Sequence, residues 1–228
     1  MQGEMTVEDV RRELAGGSRV LLVVRHAERP KIGFDDKTFG ASLPLTDEGA
    51  RTSRAFGEML RGASDNVQFR ASPLRRTMMT AELIAEGMGL AGAEVVADAE
   101  IGNGSAFVAD ELEVWRLFSD GSFFEKMVRY MQDGVQRGFA PLAEAADAFE
   151  SHAMDCFRAR LGVFASHDVY IAAFLHARGV KTDLCMANWP RFLDSVAIIE
   201  RPGGIRDYGF VRAGLSSRCC GIGVEEGA

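Results

Sequence analysis

His26 and His167 are the side chains most able to carry chemistry, because each stands in a short polar cluster directly after an apolar run. The first cluster is Arg25-His26-Ala27-Glu28-Arg29, after Val20 to Val24; the second is Ser166-His167-Asp168, after Leu161 to Ala165. Imidazole serves as nucleophile, base or acid near neutral pH. Beside it stands arginine, whose planar fork of five N–H donors fits two oxygens of a phosphate or carboxylate at once. Arg75-Arg76 forms a third basic cluster, and Lys occurs only at Lys31, Lys37, Lys126 and Lys181. This bias toward arginine fits an oxyanion ligand.

Metal chemistry is the first competitor. His26, Glu28, His167 and Asp168 offer the nitrogen and carboxylate ligands that suit zinc, but the adjacent arginines repel a cation. His26-x-Glu28 is also half of a zinc deaminase pattern whose P-C-x-x-C half is absent. No G-x-x-x-x-G-K-[ST] loop occurs, and Gly87-Met-Gly-Leu-Ala-Gly92, the one stretch spaced as G-x-G-x-x-G, closes a helical pattern instead of opening one after a strand, which removes the ordinary nucleotide-binding readings. We expect no metal and no cofactor.

The elements that must position these clusters follow from periodicity. Arg19 to Val24 reads as a buried parallel strand, so Arg25 to Arg29 falls at its carboxyl end, where open α/β sheets bind ligands. An amphipathic segment around Thr6 to Leu14 precedes it. Thr46-Asp-Glu-Gly opens a helix to about Arg61, with Thr46 as N-cap and acidic residues in the first turn. Val67 to Ala71 reads as a strand, and Ser72-Pro73 opens a helix to about Met88 with Pro73 at the first helical position, where its missing N–H costs nothing. Glu94 to Ile101 reads as a further strand ending beside Gly102-Asn-Gly-Ser. Residues 110 to 159 are helix-rich, and the bland role of Trp115, Phe118, Phe123 and Phe124 there is packing, although a helical cap could set specificity. His152 and His176 lie in helical patterns and read as surface or packing residues. Leu161 to Ala165 is another strand, Val169 to Ala177 a helix, and Val196 to Glu200 with Tyr208 to Val211 a closing hairpin. The alternation predicts an α/β fold, a three-layer α/β/α sandwich around a mostly parallel sheet, as one domain over residues 1–228 with a helical insertion at about 105–159.

Composition sets the outer bounds. With 228 residues, 47% hydrophobic and 26% charged, the chain is an ordinary globular one. Its 26 Lys and Arg against 33 Asp and Glu, a net charge of −7, argue against a broad nucleic-acid or anionic membrane surface. The acidic start lacks the features of a signal peptide and no apolar run is long enough to span a membrane, so a cytoplasmic location is expected. Cys156, Cys185, Cys219 and Cys220 have no C-x-x-C spacing and are read as reduced thiols. Homo-oligomers stay open.

These motifs in this order resemble the histidine phosphatase superfamily, the phosphoglycerate mutase-like group with an Arg-His-Gly signature. Arg25-His26-Ala27 stands at the signature, with Ala for Gly; Thr46-Asp47-Glu48-Gly49 resembles the Leu-Thr-x-x-Gly helix start; Ser72-Pro-Leu-Arg-Arg-Thr-Met-Met-Thr-Ala resembles the Ser-x-Leu-x-Arg-x-x-x-Thr-Ala helix; and Ser166-His167-Asp168 supplies the second histidine. The resemblance runs from about residue 19 to 180. It implies a phosphoglycerate mutase-like fold and a phosphohistidine on His26, with Arg25, Arg76 and His167 holding the phosphoryl oxygens.

Two assignments separate the branches of the family. Arg25-His-Ala-Glu-Arg29 resembles the Arg-His-Gly-x-Arg start of the acid phosphatase and phytase-like branch, which would put Arg29 in the phosphate pocket; the alternative is an Arg paired with Glu28 or another loop carboxylate. That branch also carries an Asp after its second histidine, making Asp168 the leading proton donor, with Glu100 the alternative by resemblance to the mutase-like branch. The implied function is metal-independent hydrolysis of a small-molecule phosphate ester. A phosphate-binding regulatory module, a phosphoprotein phosphatase and a phosphomutase are the competing readings.

Overall fold

The computed structural model of the chain is described for residues 3–33, 36, 38, 40–102, 105–119 and 121–215; Cys219 and Cys220 lie outside the described residues. Seven strands form one sheet in the order β1-β7-β6-β2-β5-β3-β4. They are β1 (Gly3–Met5), β2 (Arg19–Arg25), β3 (Val67–Ala71), β4 (Val95–Ala97), β5 (Leu161–Ser166), β6 (Ser195–Glu200) and β7 (Arg206–Val211). The helices are α1 (Val7–Ala15), α2 (Asp47–Leu60), α3 (Arg75–Gly87), α4 (Glu111–Ser119), α5 (Phe123–Asp133), α6 (Leu142–Cys156) and α7 (Asp168–Ala177). No helix among the described residues is long and apolar enough to cross a membrane.

Strand β2 explains the layering. Its β-branched and leucine run is buried along both faces, as expected where helices cover both sides of a sheet. Val20, Leu22 and Val24 pack with Leu14 of α1, Phe56 and Leu60 of α2 and Ile84 of α3. Leu21 and Val23 point the other way, into a core built from α4 to α7. This period-two division is the three-layer α/β/α sandwich.

Register then places the chemistry. Strands β2, β5 and β3 run parallel, with Arg25 opposite Ser166 and Ala71 opposite Ala165. The next residues, His26, His167 and Ser72, therefore leave the sheet together at one edge. The antiparallel pairs β2–β6 and β6–β7 close the other side, with the expected hairpin extended to Ser195 and Arg206.

Three boundaries differ from expectation. Strand β1, parallel to β7, was not anticipated, because three residues carry no readable period. Helix α3 begins at Arg75 with Leu74 as its N-cap, so Pro73 stands before the helix; the Thr77 hydroxyl donates to the carbonyls of Ser72 (2.7 Å) and Leu74 (2.6 Å) and tightens the entry. The strand expected over Glu94 to Ile101 stops at Ala97. There Asp98 caps a 3₁₀ turn over Ala99–Ile101, accepting from the Glu100 amide at 3.1 Å, and Glu100 rides on that turn rather than at a strand end.

Candidate active site

The site is built on the shared strand edge. The His26 amide donates to Ser166 O and the Ser72 amide to Ala165 O, so both residues continue the parallel ladder before the loops diverge. Thr46 caps α2 by accepting from the Gly49 amide at 3.0 Å, while the Thr46 amide donates to Glu28 O at 3.0 Å. A side chain at Gly49 would put its Cβ 2.1 Å from that carbonyl oxygen. The Thr-x-x-Gly pattern thus lets α2 press directly on the loop that follows His26. Thr80 does the same from α3, accepting from the Ala27 amide at 3.0 Å and donating to Arg76 O at 2.7 Å.

The two histidines face one another edge to face, with ring centroids 5.5 Å apart. Nδ1 of His26 lies 2.8 Å from Ala27 O, which can only accept, so Nδ1 carries the proton and Nε2 the lone pair. Arg76 Nη2, which can only donate, lies 3.5 Å from His167 Nδ1, and His167 Nε2 is 3.2 Å from Ser72 Oγ. An accepting Nδ1 makes the His167 ring neutral. Burial holds both pKa values well below the ordinary histidine range, and the field of Arg76 adds to it.

Three guanidinium groups surround the pair. Arg25, 2% exposed, donates to Pro190 O at 2.6 Å, pairs with Asp168 Oδ2 at 3.1 Å and lies 4.3 Å over the Phe192 ring. Arg76 donates to Gly40 O at 2.9 Å. Arg29 donates to Pro30 O at 2.7 Å, and its Nε is buried without a hydrogen-bond partner. Burial pushes Arg76 down to about 9 and Arg29 down to about 10, so both stay protonated at neutral pH. Concentrated buried cationic charge of this kind is matched to an anion.

Asp168 opens α7, with His167 as the N-cap residue. Its Oδ2 also accepts from the Trp189 indole at 3.1 Å. Arg25, His26, Arg29, Arg76, His167 and Asp168 all line one cavity of about 580 Å³, which is the convergence expected of them. Glu100 does not join them. Its side chain is 62% exposed and pairs with His152 Nδ1 at 3.2 Å, away from the cavity.

Several contributors carried no signal in the sequence. Trp189, Pro190 and Phe192 lie in an aperiodic stretch, and Leu193 there adopts φ 69°, an unusual conformation for leucine that turns the chain beneath Arg25. Glu111, equally unforeseen, lines the cavity from the first turn of α4, whereas Trp115, Phe118 and Phe123, expected as packing residues or as part of a cap, line it from α4 and α5. Metal-type ligands gather elsewhere: Asp98, His152 and Cys156 bring ligand atoms within 4.8 Å of one another. Asp98 is already paired with Arg70 at 3.0 Å, and His152, expected as a surface or packing residue, bridges Asp98 and Glu100.

Residues 21–106 match the histidine phosphatase superfamily (branch 1), a span that includes His26 and Arg76 and ends before His167. No curated protein matches the chain. Among solved structures, a mutant phosphoserine phosphatase from Entamoeba histolytica in complex with phosphoserine is 16% identical, with 84% of this chain and 95% of that one covered and a TM-score of 0.55. A phosphoglycerate mutase from Bacillus anthracis is 15% identical over 90% and 93%, at a TM-score of 0.52. A mycobacterial glucosyl-3-phosphoglycerate phosphatase with inorganic phosphate is 18% identical over 87% and 100%, at 0.53. Identities at this level speak for a shared fold, the phosphoglycerate mutase-like one.

Proposed function

We propose that this chain, a histidine phosphatase superfamily chain by its residues 21–106 and phosphoglycerate mutase-like by its fold, is a metal-independent phosphomonoesterase acting on a cytoplasmic small molecule. The observation that carries this reading is the pair of buried, neutral histidines set among three arginines at one sheet edge.

Each part then has a task. The lone pair on His26 Nε2 attacks phosphorus, the P–N bond forms, and the bond from phosphorus to the ester oxygen breaks. Because the ring is already neutral, no base is needed to expose the nucleophile. Arg25, Arg29, Arg76 and His167 stabilise the charge spread over the three equatorial oxygens, which is most of what a protein can do for phosphoryl transfer. Asp168 gives a proton to the departing oxygen. In the second half the same carboxylate takes a proton from water as the water oxygen attacks phosphorus; the P–N bond breaks, and inorganic phosphate leaves a neutral His26.

Phosphate release from an aryl phosphate in the presence of EDTA tests the reading. Turnover is expected to survive EDTA and to vanish in His26→Ala, and rapid acid-free quenching is expected to trap an acid-labile, alkali-stable phosphoprotein. Loss of turnover in EDTA, or full turnover by the alanine variant, would overturn it.

A further inference from the structure

The cavity above the histidines is about 580 Å³. The five heavy atoms of a phosphate group, each given water's share of ~30 Å³, occupy at most about 150 Å³. Most of the space therefore lies beyond the phosphate floor, and its lining there changes character. Trp115 and Phe118 of α4, Phe123 of α5 and Phe139 form a largely aromatic wall, with Leu112 at the rim. Phe118 and Phe123 meet edge to face at 5.8 Å and are less than a tenth exposed, whereas Leu112 is 55% exposed. Among the described residues no lysine, and no arginine besides Arg25, Arg29 and Arg76, lines the cavity; the one carboxylate besides Asp168 is Glu111.

We propose that this outer half is a subsite for the apolar part of a large alcohol, so that the substrates are aryl or long-chain alkyl phosphates rather than sugar or hydroxy-acid phosphates. The proposal rests on the phosphomonoesterase reading for what happens at phosphorus, and on the aromatic wall for what is bound. An apolar chain placed against that wall leaves water at a gain of about fourfold in binding per methylene. A sugar would bury hydroxyls against Phe118 and Phe123, and each one left without a partner costs roughly tenfold or more. A carboxylated leaving group would bring negative charge beside Glu111, with no second cation among the described lining residues to receive it.

Primary alkyl phosphates share one leaving-group chemistry, so chain length alone varies across ethyl, butyl, hexyl and octyl phosphate. kcat/KM is expected to rise about fourfold per methylene over the first four added, and octyl phosphate is expected to exceed glucose 6-phosphate, phosphoserine and 3-phosphoglycerate by at least a hundredfold. A flat series, or preference for any of those three or for phosphocholine, would overturn the proposal. Phe118→Ser is expected to lower kcat/KM for octyl phosphate more than tenfold and for ethyl phosphate far less; should it fail to fold, Leu112→Asp at the exposed rim tests the same slope. Calorimetry with the matching alkylphosphonates, which have no ester bond to cleave, separates the two readings. Affinity that rises with length in a chain that hydrolyses nothing supports the subsite and refutes the phosphatase, whereas hydrolysis with length-independent affinity does the reverse.

Discussion

Asp168 keeps its two oxygens in different company. Oδ2 receives the Arg25 guanidinium and the Trp189 indole, while Oδ1 takes no hydrogen bond from a described residue and belongs to a side chain lining the cavity. One oxygen is thus anchored, and the other is the one the proposed reaction would use for proton transfer. A proton donor matters most when the leaving alkoxide is a strong base. Asp168→Asn is therefore expected to lower kcat/KM for ethyl phosphate by about 10²–10⁴-fold and for p-nitrophenyl phosphate far less; equal losses on both would remove the donor role. Glu100→Gln is the contrasting variant. Glu100 is exposed and held by His152, so its change is expected to leave both rates within about twofold. A steep leaving-group dependence in that variant instead would make Glu100 the donor.

Helices α2 and α3 set the loop that carries His26, and they do so through missing side chains. A Cβ at Gly49 would lie 2.1 Å from Glu28 O, and one at Gly57 would lie 2.1 Å from Ile84 O, where α2 crosses α3. Both alanine variants are expected to lower unfolding stability by about 1–3 kcal/mol, the usual range for overpacking, as read by urea titration. Only Gly49→Ala is expected to lose activity as well, because Glu28 must retreat and Arg29 moves with it; if Gly57→Ala loses activity equally, the loop is not the cause. The Thr46 cap was readable in the residues themselves, whereas Gly49 and the Ser72 to Thr80 pattern were readable through the family resemblance. A cap needs a hydroxyl, a close approach needs a glycine, and each demand is local. The ends of α3 and β4 were not readable, since Thr77 and Asp98 set them through bonds to backbone groups that propensity does not foresee.

For the molecule as a whole, the parallel strands and their common edge were legible because β2 and β5 are buried and apolar along their full length. The aromatic wall was not, because helical spacing in Trp115 and Phe118 is the same for a core face and for a cavity lining. Nor was the support from Trp189 and Phe192, which reach Asp168 and Arg25 only through the tertiary fold. That fold carries a cost in acid. Burial holds the pKa values of His26 and His167 well below the ordinary range, so in the folded chain they stay neutral after the unfolded chain has protonated near pH 6.5. The unfolded state then binds more protons, and stability falls as pH drops below about 6.5 toward the folded-state values. Between pH 7.5 and 5 both histidines are therefore expected to remove stability. His176, whose pKa burial also lowers, adds to the same window, whereas the depressed carboxylates Asp9, Asp36 and Asp183 lose their contribution only at lower pH. Urea titrations across this range are expected to show the loss, and His26→Gln is expected to show a smaller loss between pH 7.5 and pH 5 than the native chain. Inorganic phosphate is expected to protect more at pH 5 than at pH 7.5, because an anion among Arg25, Arg29 and Arg76 offsets the field that keeps both rings neutral. An unchanged acid slope in His26→Gln would mean that the proton uptake belongs to other groups.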